Sequence, residues 1–379
     1  MPHCRASSRA PGPSVRLSEV LAAHRPDRVT ADQARVIRDL VFCRTAALGG
    51  RLERCDTCGH ENPVYNSCRN RHCPRCQSFD AARWVQRRSA DLLPVPYFHV
   101  VFTVPACLRP VFRTHPRASV RLLFQAAGHA LVQVAQRHLG ATPGCILVLH
   151  TWTQTLEYHP HVHCLVTGGG LASDGKRWVR SRPRFFVPVR KLSVVFRAML
   201  LAGLSSYLDP RGGRITDLLR RAAGQRWVVY SKAPLAGPEQ VLRYLGRYTH
   251  RTAISEDRIL SHGSGIVRFR CRDRHRRRGS TVVALEGPEF VRRFLLHVVP
   301  PHLVRIRYYG LLANAFKGRR LEQARYELRT PPPVAITSTW EDLYLALTGR
   351  DPFQCPRCKH GMLRTIELIP PVAHPGRGP

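Results

Sequence analysis

The segment WTQTLEYHPHVHCLVTGGGL, residues 152–171, decides how the middle of the chain folds. Its HCLVT portion and the overlapping run LVLHTW are apolar and typical of strands. His161 and His163 lie on either side of Val162, and side chains two residues apart on a strand share a face. Both imidazoles can therefore bind one metal ion. The glycines at 168–170 then permit close approach of a phosphate or a DNA strand to the backbone.

The sequence around this segment predicts an α+β domain. The apolar runs YFHVVFTV and CILVLHTW alternate with a predicted helix near Val120–His138. Pro94 and Pro96 break the chain before these elements, and prolines at 331–333 mark a boundary after them. We therefore predict three parts, an N-terminal helical and cysteine-rich region, a central domain and a tail, at residues 1–93, 94–330 and 331–379.

The segment GPEQVLRYLGRYTHRTAIS, residues 237–255, predicts a helix with a proline in its first turn. Tyr244 and Tyr248 are four residues apart and so lie on one face. Arg243, Arg247 and Arg251 form a second series on an adjoining face. Such a tyrosine pair is either part of an amphipathic core face or, beside arginines, a functional pair.

The segment IVRFRCRDRHRRR, residues 266–278, carries arginine at every second position, at Arg268, Arg270, Arg272 and Arg274. On a strand these guanidinium groups recur about every 6.7 Å, close to the phosphate spacing of an extended nucleic-acid strand. The alternative is a solvated edge strand. The following EFVRRFLLHVV predicts a helix that packs behind the hairpin through Phe290, Phe294 and Leu295.

The N-terminal region contains a predicted helix, ADQARVIRDLVF, with Thr30 as its N-cap, followed by a cysteine-rich segment. In CDTCGHENPVYNSCRNRHCPRC, fourteen residues separate two C-x-x-C pairs, which is zinc-site spacing. This predicts one structural zinc ion bound by Cys55, Cys58, Cys73 and Cys76.

The same region offers more candidate ligands than one tetrahedral ion can use, because Cys68 and His72 are alternatives. Three arginines interleave with the cysteines and are candidates for contact with a DNA backbone: Arg69, Arg71 and Arg75. Near the other end of the chain, CPRCKHG supplies Cys355 and Cys358 with His360 nearby. That is half a zinc site, and its completing ligands are not evident from the sequence.

The composition favours a polyanionic partner. The 379 residues include 60 Lys and Arg but only 25 Asp and Glu, giving a formal net charge of +35. Such an excess points to nucleic acid. The N-terminus has no apolar core of signal-peptide length, and no run reaches the roughly 18 apolar residues of a membrane span. We therefore expect a cytoplasmic protein without a membrane partner, whose 13 cysteines stay reduced.

Taken together, the zinc module, the HPHVHCLVTGGGL block, the YLGRYTHRTAIS block and the later RIRYYGLLAN resemble the transposases of the insertion sequence 91 family. These are two-tyrosine members of the HUH endonuclease superfamily that move by a rolling-circle mechanism. The resemblance spans most of the chain. It implies an HUH-type catalytic domain with an antiparallel sheet and helices, preceded by a small zinc-binding module.

The resemblance also implies roles for particular residues. His161 and His163 become ligands of a catalytic Mg or Mn ion, and Tyr244 and Tyr248 become nucleophiles. Superfamily members usually add one polar ligand, for which Gln154 is chosen over Glu157, His150 and His159. The implied reaction is cleavage and rejoining of single-stranded DNA at element ends and target through a 5′-phosphotyrosine. Host replication or helicase machinery is an additional candidate partner.

Two other functions remain open at this stage. A plasmid replication initiator or conjugative relaxase shares the histidine pair and the tyrosine nucleophiles, but the zinc module and the RYYGLLAN block favour a transposase. A non-catalytic, zinc-dependent DNA-binding regulator would explain the cysteines and the charge. It would leave the HPHVH and YLGRY blocks without a role.

Overall fold

The computed structural model describes residues 15–209, 216–235, 240–241, 246, 252–272, 279–332 and 339–372. Its α-helices in those ranges are α1 Leu17–Ala23, α2 Ala31–Val41, α3 Pro74–Ser89, α4 Arg109–Thr114, α5 Pro116–Leu139, α6 Val189–Leu208, α7 Thr216–Gly224, α8 Gly287–Leu295, α9 Lys317–Glu327 and α10 Trp340–Thr348. Its strands are β1 Gly50–Cys55, β2 Glu61–Tyr65, β3 Tyr97–Thr103, β4 Ala141–Thr142, β5 Gly144–Trp152, β6 Tyr158–Thr167, β7 Gly169–Ala172, β8 Trp178–Arg180, β9 Val229–Leu235, β10 Ile259–Gly263, β11 Ile266–Arg272, β12 Ser280–Glu286, β13 Ile306–Gly310 and β14 Leu363–Ile369.

A five-stranded antiparallel sheet forms the centre of the molecule, in the order β13-β5-β6-β3-β9. Every residue of β5 is buried, as expected for a strand covered on both faces. The predicted α+β class with an antiparallel sheet is confirmed. The apolar runs at β3, β5 and β6 form adjacent strands, and this places the HPHVH block at the middle of the sheet.

Helices α4 to α7 contribute to the core on one face of this sheet. The ring of Phe102 on β3 lies 4.8 Å from that of Phe196 on α6. By length and composition, α6 is the one helix in the described residues that can cross a membrane. Its Leu192, Leu200 and Leu204 are completely buried in the same core as Phe196, so the apolar face of α6 serves to cover the sheet.

The edge strand β13 packs closely on α5. Gly128 lies at the contact, where an added Cβ would collide with the ring of Tyr309. At the end of the strand, Gly310 has φ +63°, and a Cβ there would collide with the carbonyl oxygen of Pro143. The RYYGLLAN block therefore needs its glycine for close packing between main chains.

A second core joins α1 and α2 to the sheet β10-β11-β12 and to α8. Phe290 and Phe294 of α8 are buried in it, and Phe290 lies 5.5 Å from Phe269 of β11 between ring centroids. The predicted packing of this helix behind the hairpin is confirmed. Thr30 accepts a hydrogen bond from the Gln33 N–H, so the predicted N-cap of α2 is also confirmed.

A third sheet, β14-β1-β2, brings together the two ends of the described chain. Strand β1 pairs antiparallel with both neighbours, and Gly50 lies opposite Tyr65 on one side and Ile369 on the other. Residues in the predicted C-terminal tail therefore form a strand beside the N-terminal region.

The glycines at 168–170 have a role different from the predicted one. All three are buried, and a Cβ at Gly168 would lie 2.8 Å from the carbonyl oxygen of Pro96. Gly169 has φ +133°, and side chains at Gly169 and Gly170 would collide with the main chains of β8 and β4. The interpretation as a DNA approach is wrong, because neighbouring strands of this chain occupy the space.

The substitution Gly128→Ala should lower the free energy of unfolding, because its methyl group must displace the Tyr309 ring. Overpacking of this kind costs about 1–3 kcal/mol, which exceeds or offsets the ~1 kcal/mol that alanine gains over glycine within a helix. Gly224→Ala is the matched control, since a Cβ at the end of α7 meets no atom of the described residues within 4 Å. Denaturant unfolding compares the two, and a Gly128→Ala protein as stable as the control would contradict this packing.

Candidate active site and structural zinc sites

Three histidines gather on the second face of the central sheet. On β6, Val162 and Cys164 are buried in the helix-covered core, so His161 and His163 point to the opposite face. On the neighbouring strand β5, His150 lies directly opposite His161. The nitrogen atoms that these three side chains can offer all lie within 4.8 Å of one another. The prediction that His161 and His163 share a face of a strand is confirmed.

The ring positions suit binding of one divalent ion. The Nδ1–H of His161 donates to the carbonyl oxygen of His159 at 2.7 Å, which in a neutral ring places the lone pair that a metal ion binds on Nε2. The Nε2 atoms of His161 and His163 are 3.1 Å apart. Two ligands at right angles, each ~2.1 Å from an ion, are about 3.0 Å apart. This donor set therefore fits a metal ion with further positions open.

His99 orients one of these ligands. Its Nε2 lies 2.9 Å from Nδ1 of His163, and the two rings stack with an interplanar angle of 7°. Burial, followed by the charge of Lys232, lowers the pKa of His99 to about 3, so its ring is neutral. A hydrogen bond to the second ring nitrogen is the usual means of fixing a metal-binding histidine. His99 was not predicted as a site residue. The signal for it is its position between Phe98 and Val100, which face the core, so that its side chain lies on the opposite face of β3.

The turn between β5 and β6 is held by the second core. The carbonyl oxygen of Gln154 accepts hydrogen bonds from Arg258 at 2.5 Å and from the Cys271 thiol at 3.0 Å. His297 lies 3.2 Å from the Thr151 hydroxyl and 3.1 Å from the carbonyl oxygen of Leu156. Burial lowers the pKa of His297 to about 4, so its ring is neutral when it contacts the turn.

The four candidates for the third ligand have different positions. His150 lies in the cluster, whereas Gln154 belongs to the turn four residues further along the chain. Glu157 is exposed, and the ring of His159 lies 3.1 Å from the Arg109 guanidinium. Antiparallel pairing brings His150 beside His161, a relation that the spacing along one strand does not reveal.

The predicted nucleophiles Tyr244 and Tyr248 lie outside the described residues, as do Arg243, Arg247 and Arg251. Within the predicted helix, residues 237–255, the structure describes Gln240, Val241 and Gly246, which are helical, and residues 252–255, which are not. Val241 is completely buried with Tyr97, Ile146 and Leu165. Those residues alternate with core-facing ones on β3, β5 and β6, so they share the face of the histidine cluster. The segment that leads to Tyr244 therefore starts on that face.

The arginine row lies on a strand, as predicted. Val267, Phe269 and Cys271 of β11 are buried, and the intervening Arg268, Arg270 and Arg272 are exposed or half-buried. Strand β11 is the middle strand of its sheet, so the alternative of an edge strand is wrong. Arg274 lies outside the described residues.

Four cysteines of the N-terminal region form a cluster around the start of α3: Cys43, Cys68, Cys73 and Cys76. The Sγ atom of Cys76 lies 3.6 Å from that of Cys43 and 3.7 Å from that of Cys68. Thiolates about 2.3 Å from a tetrahedral zinc ion are ~3.8 Å apart. Cys73 precedes Pro74, the first residue of α3, so the C-x-x-C turn continues directly into the helix.

The four ligands predicted for a single zinc ion do not lie together: Cys55, Cys58, Cys73 and Cys76. That grouping is wrong because the β1-β2 hairpin carries its own C-x-x-C pair towards β14. Cys68, an alternative in the sequence analysis, is part of the cluster, whereas His72 lies outside it and is buried. Cys43 was missed, since an isolated cysteine before the segment gives no spacing signal.

Two of the arginines between these cysteines serve the fold. Arg71 donates to the carbonyl oxygen of Leu303 at 2.8 Å, and Arg75 donates to that of Cys43 at 2.9 Å. Each of these guanidinium groups thus makes a contact within the fold, and their contact with a DNA backbone stays a prediction. Arg69 is exposed.

Comparison with known proteins supplies independent information. A family model described as "Transposase zinc-binding domain" matches residues 16–104, and one described as "Putative transposase" matches residues 144–320. The chain is 43% identical over 394 residues to putative transposase y4qJ of Sinorhizobium fredii (strain NBRC 101917 / NGR234), covering 97% of this chain and 98% of the relative. It is 28% identical over 353 residues to the transposase for insertion sequence element IS801 of Pseudomonas savastanoi pv. phaseolicola, covering 89% and 84%. No solved structure matches.

The central antiparallel sheet and the cysteine cluster thus occur in a protein whose relatives are named as transposases, and the class is that of a transposase with a structural zinc-binding domain. The chain belongs to the insertion sequence 91 family of transposases. DNA is accordingly its partner.

Cys43→Ser should behave like Cys73→Ser, because both thiols belong to one cluster. Each should lower the yield of soluble protein or abolish binding to the element end, since a structural zinc ion supplies folding energy directly. Cys107→Ser is the control, as Cys107 lies outside this cluster. A stable Cys43→Ser protein with full zinc content and DNA binding would contradict the assignment.

Proposed function

We propose that this transposase binds single-stranded element ends and cleaves and rejoins DNA by metal-assisted tyrosine transesterification, driving rolling-circle transposition. The observation that carries the proposal is the cluster of His150, His161 and His163 on one face of the central sheet. The buried Val241, three residues before Tyr244 in sequence, shares that face. The proposed site thus combines a metal-binding group with an adjacent segment that bears the nucleophiles.

The three imidazoles would hold a divalent ion with Nε2 of His161 as the best defined ligand. When bound, the ion supplies positive charge next to the scissile phosphate and so stabilises charge that develops in the transition state. We favour His150 over Gln154 as the third ligand. Mg²⁺ prefers oxygen ligands, so three imidazoles favour a transition-metal ion such as Mn²⁺ over Mg²⁺.

The chemistry itself is an exchange of phosphodiester bonds. The phenol oxygen of Tyr244 or Tyr248 loses its proton and forms a bond to phosphorus while the bond from phosphorus to the 3′ oxygen breaks. The departing 3′ oxygen takes up a proton and becomes a hydroxyl, and the tyrosine keeps the 5′ phosphate. Attack by a 3′ hydroxyl reverses this exchange and restores the phenol. Because one phosphoester replaces another, the cycle requires no ATP.

Arginines provide the affinity for the strand in this proposal. The tyrosine-flanking set comprises Arg243, Arg247 and Arg251, and the strand set comprises Arg268, Arg270, Arg272 and Arg274. Contacts to phosphates account for most sequence-independent binding to nucleic acid. We further propose that the protein acts in the cytoplasm, with host replication or helicase machinery providing the displaced strand.

A non-catalytic DNA-binding regulator is the alternative of a different class. Incubation with a labelled single-stranded end of the protein's own element and Mn²⁺ separates the two, because only the enzyme forms an adduct that survives denaturation. A replication initiator or relaxase would form the same adduct, but the matches to transposase zinc-binding and transposase family models favour transposition.

His150→Ala, His161→Ala and His163→Ala should each abolish nicking and leave much of the single-strand affinity intact. The loss should exceed the roughly 10–100-fold that follows removal of a group that only orients a metal ligand. Gln154→Ala is the matched control and should retain nicking, since the contacts of Gln154 described above use its main-chain oxygen. Nicking assays with Mn²⁺ provide the measurement. An active His150→Ala protein beside an inactive Gln154→Ala protein would restore Gln154 as the third ligand.

Tyr244→Phe and Tyr248→Phe should leave the fold intact, because each removes one oxygen and keeps the ring. Each single variant retains one hydroxyl and can form some adduct, but it should lose complete transposition, which needs successive cleavages. The double variant should bind single-stranded ends and form no adduct on denaturing gels. An adduct from the double variant would place the nucleophile elsewhere. The next candidate nucleophiles are then Tyr158, Tyr308 and Tyr309. Burial raises the pKa of all three phenols, and it raises the pKa of Tyr158 to about 12.

A further inference from the structure

A second group of four cysteines joins parts of the chain that are 300 residues apart: Cys55, Cys58, Cys355 and Cys358. Cys55 ends β1 and Cys58 follows it, and the second pair precedes β14. All four Sγ atoms lie within 4.8 Å of one another. The Sγ atoms of Cys55 and Cys358 are 3.7 Å apart, as are those of Cys58 and Cys355.

The two pairs adopt the same local structure. The N–H of Gly59 donates to the carbonyl oxygen of Cys55, and that of Lys359 donates to the carbonyl oxygen of Cys355. Gly59 and Lys359 both have positive φ, +69° and +62°. This repeated turn directs both thiols of each pair to the same side. Two such turns facing each other are the arrangement of a four-thiolate zinc site.

Main-chain N–H groups also point at the sulfur atoms. Those of Thr57 and Cys58 lie 3.4 Å from Sγ of Cys55, and that of Gly361 lies 3.3 Å from Sγ of Cys358. Such donors stabilise thiolates more than neutral thiols. Gly361 also lets the two turns approach, because a Cβ there would collide with Sγ of Cys55.

Neither disulfides nor apolar packing account for this arrangement. A separation of 3.7 Å is far beyond the ~2.05 Å of an S–S bond. The apolar cluster around the thiols consists only of Cys55, Cys355 and Leu363, with Cys358 packed against it, and Cys58 is exposed. Four thiols collected on so small a core need a further source of stability.

We propose that these four cysteines bind a second structural zinc ion, which fastens the C-terminal segment to the zinc-binding domain. The separations of 3.7 Å match the ~3.8 Å expected between thiolates of one tetrahedral zinc ion. His360, the histidine near this pair, is exposed and lies outside the cluster. The matched zinc-binding domain ends at residue 104, so half of the ligands come from beyond it.

The second ion fixes β14 in place. Its ligands lie where Cys55 pairs with Leu363, and the β1-β14 pairing continues from there to Gly50 and Ile369. The Met362 N–H donates to the Asp56 carboxylate at 2.9 Å beside the same turn. The zinc ion and the strand thus hold each other in register, and the chain closes into a loop of about 300 residues between the two cysteine pairs.

Zinc content of the full-length protein, purified without chelators, tests the proposal. Elemental analysis should give two zinc ions per chain for the wild type. Cys355→Ser/Cys358→Ser should retain one, and the control Cys107→Ser should retain two. One zinc per chain in the wild type, or two in the double variant, would overturn the second site.

Thiol alkylation of the wild-type protein tests it without any variant, should the double variant fail to fold. Cys58 is exposed, so N-ethylmaleimide can reach its thiol once no metal ion is bound. Zinc binding should protect Cys58 and Cys358 until a chelator is added, as peptide mass spectrometry would show. Alkylation of Cys58 as fast before chelation as after it would refute the proposal.

Discussion

The antiparallel register between β5 and β6 is the constraint on which the candidate active site depends. It sets His150 opposite His161 and leaves Val162 and Cys164 in the core. A slip of one residue would turn the histidines into the apolar core and expose the residues that now fill it. The register is therefore protected by the burial of the whole of β5 and by the α5 and α6 side chains that pack on the sheet.

The two cysteine clusters differ in the amount of apolar core around them. Cys43, Cys73 and Cys76 are buried in the second core and Cys68 packs against it, whereas the other cluster has almost no core. The need for a metal ion is therefore greatest at the second cluster, although the chain has a large central sheet. The central sheet is stabilised by the burial of its own side chains. The small β14-β1-β2 sheet has an exposed face, and it forms only if β14 is held beside β1.

Local features were predictable from the sequence and long-range ones were not. Thr30, the buried face of α8 and the shared face of His161 and His163 follow from periodicity and capping rules, which act within a few residues. The predicted set of four zinc ligands is wrong because the spacing of cysteines gives information about one segment of the chain only. The partners of Cys55 lie 300 residues away. Gln154 was predicted as a ligand in place of His150. The position of His150 depends on its pairing with His161 on the next strand, beside a register shift between His150 and Trp152.

Hydrogen bonds connect the zinc-binding domain to the central sheet. Arg71, between two cysteines of the first cluster, donates to Leu303, and Arg305 donates back to the carbonyl oxygen of Arg71. Arg305 directly precedes β13, the strand paired with β5. Helix α3, which starts at this cluster, places Val85 so that a Cβ at Gly246 would lie only 3.2 Å from it. Gly246 stands between the two candidate nucleophiles in sequence. Loss of zinc should therefore disturb both the sheet that bears the histidines and the support of the tyrosine segment, although no cysteine contacts DNA in the proposed chemistry.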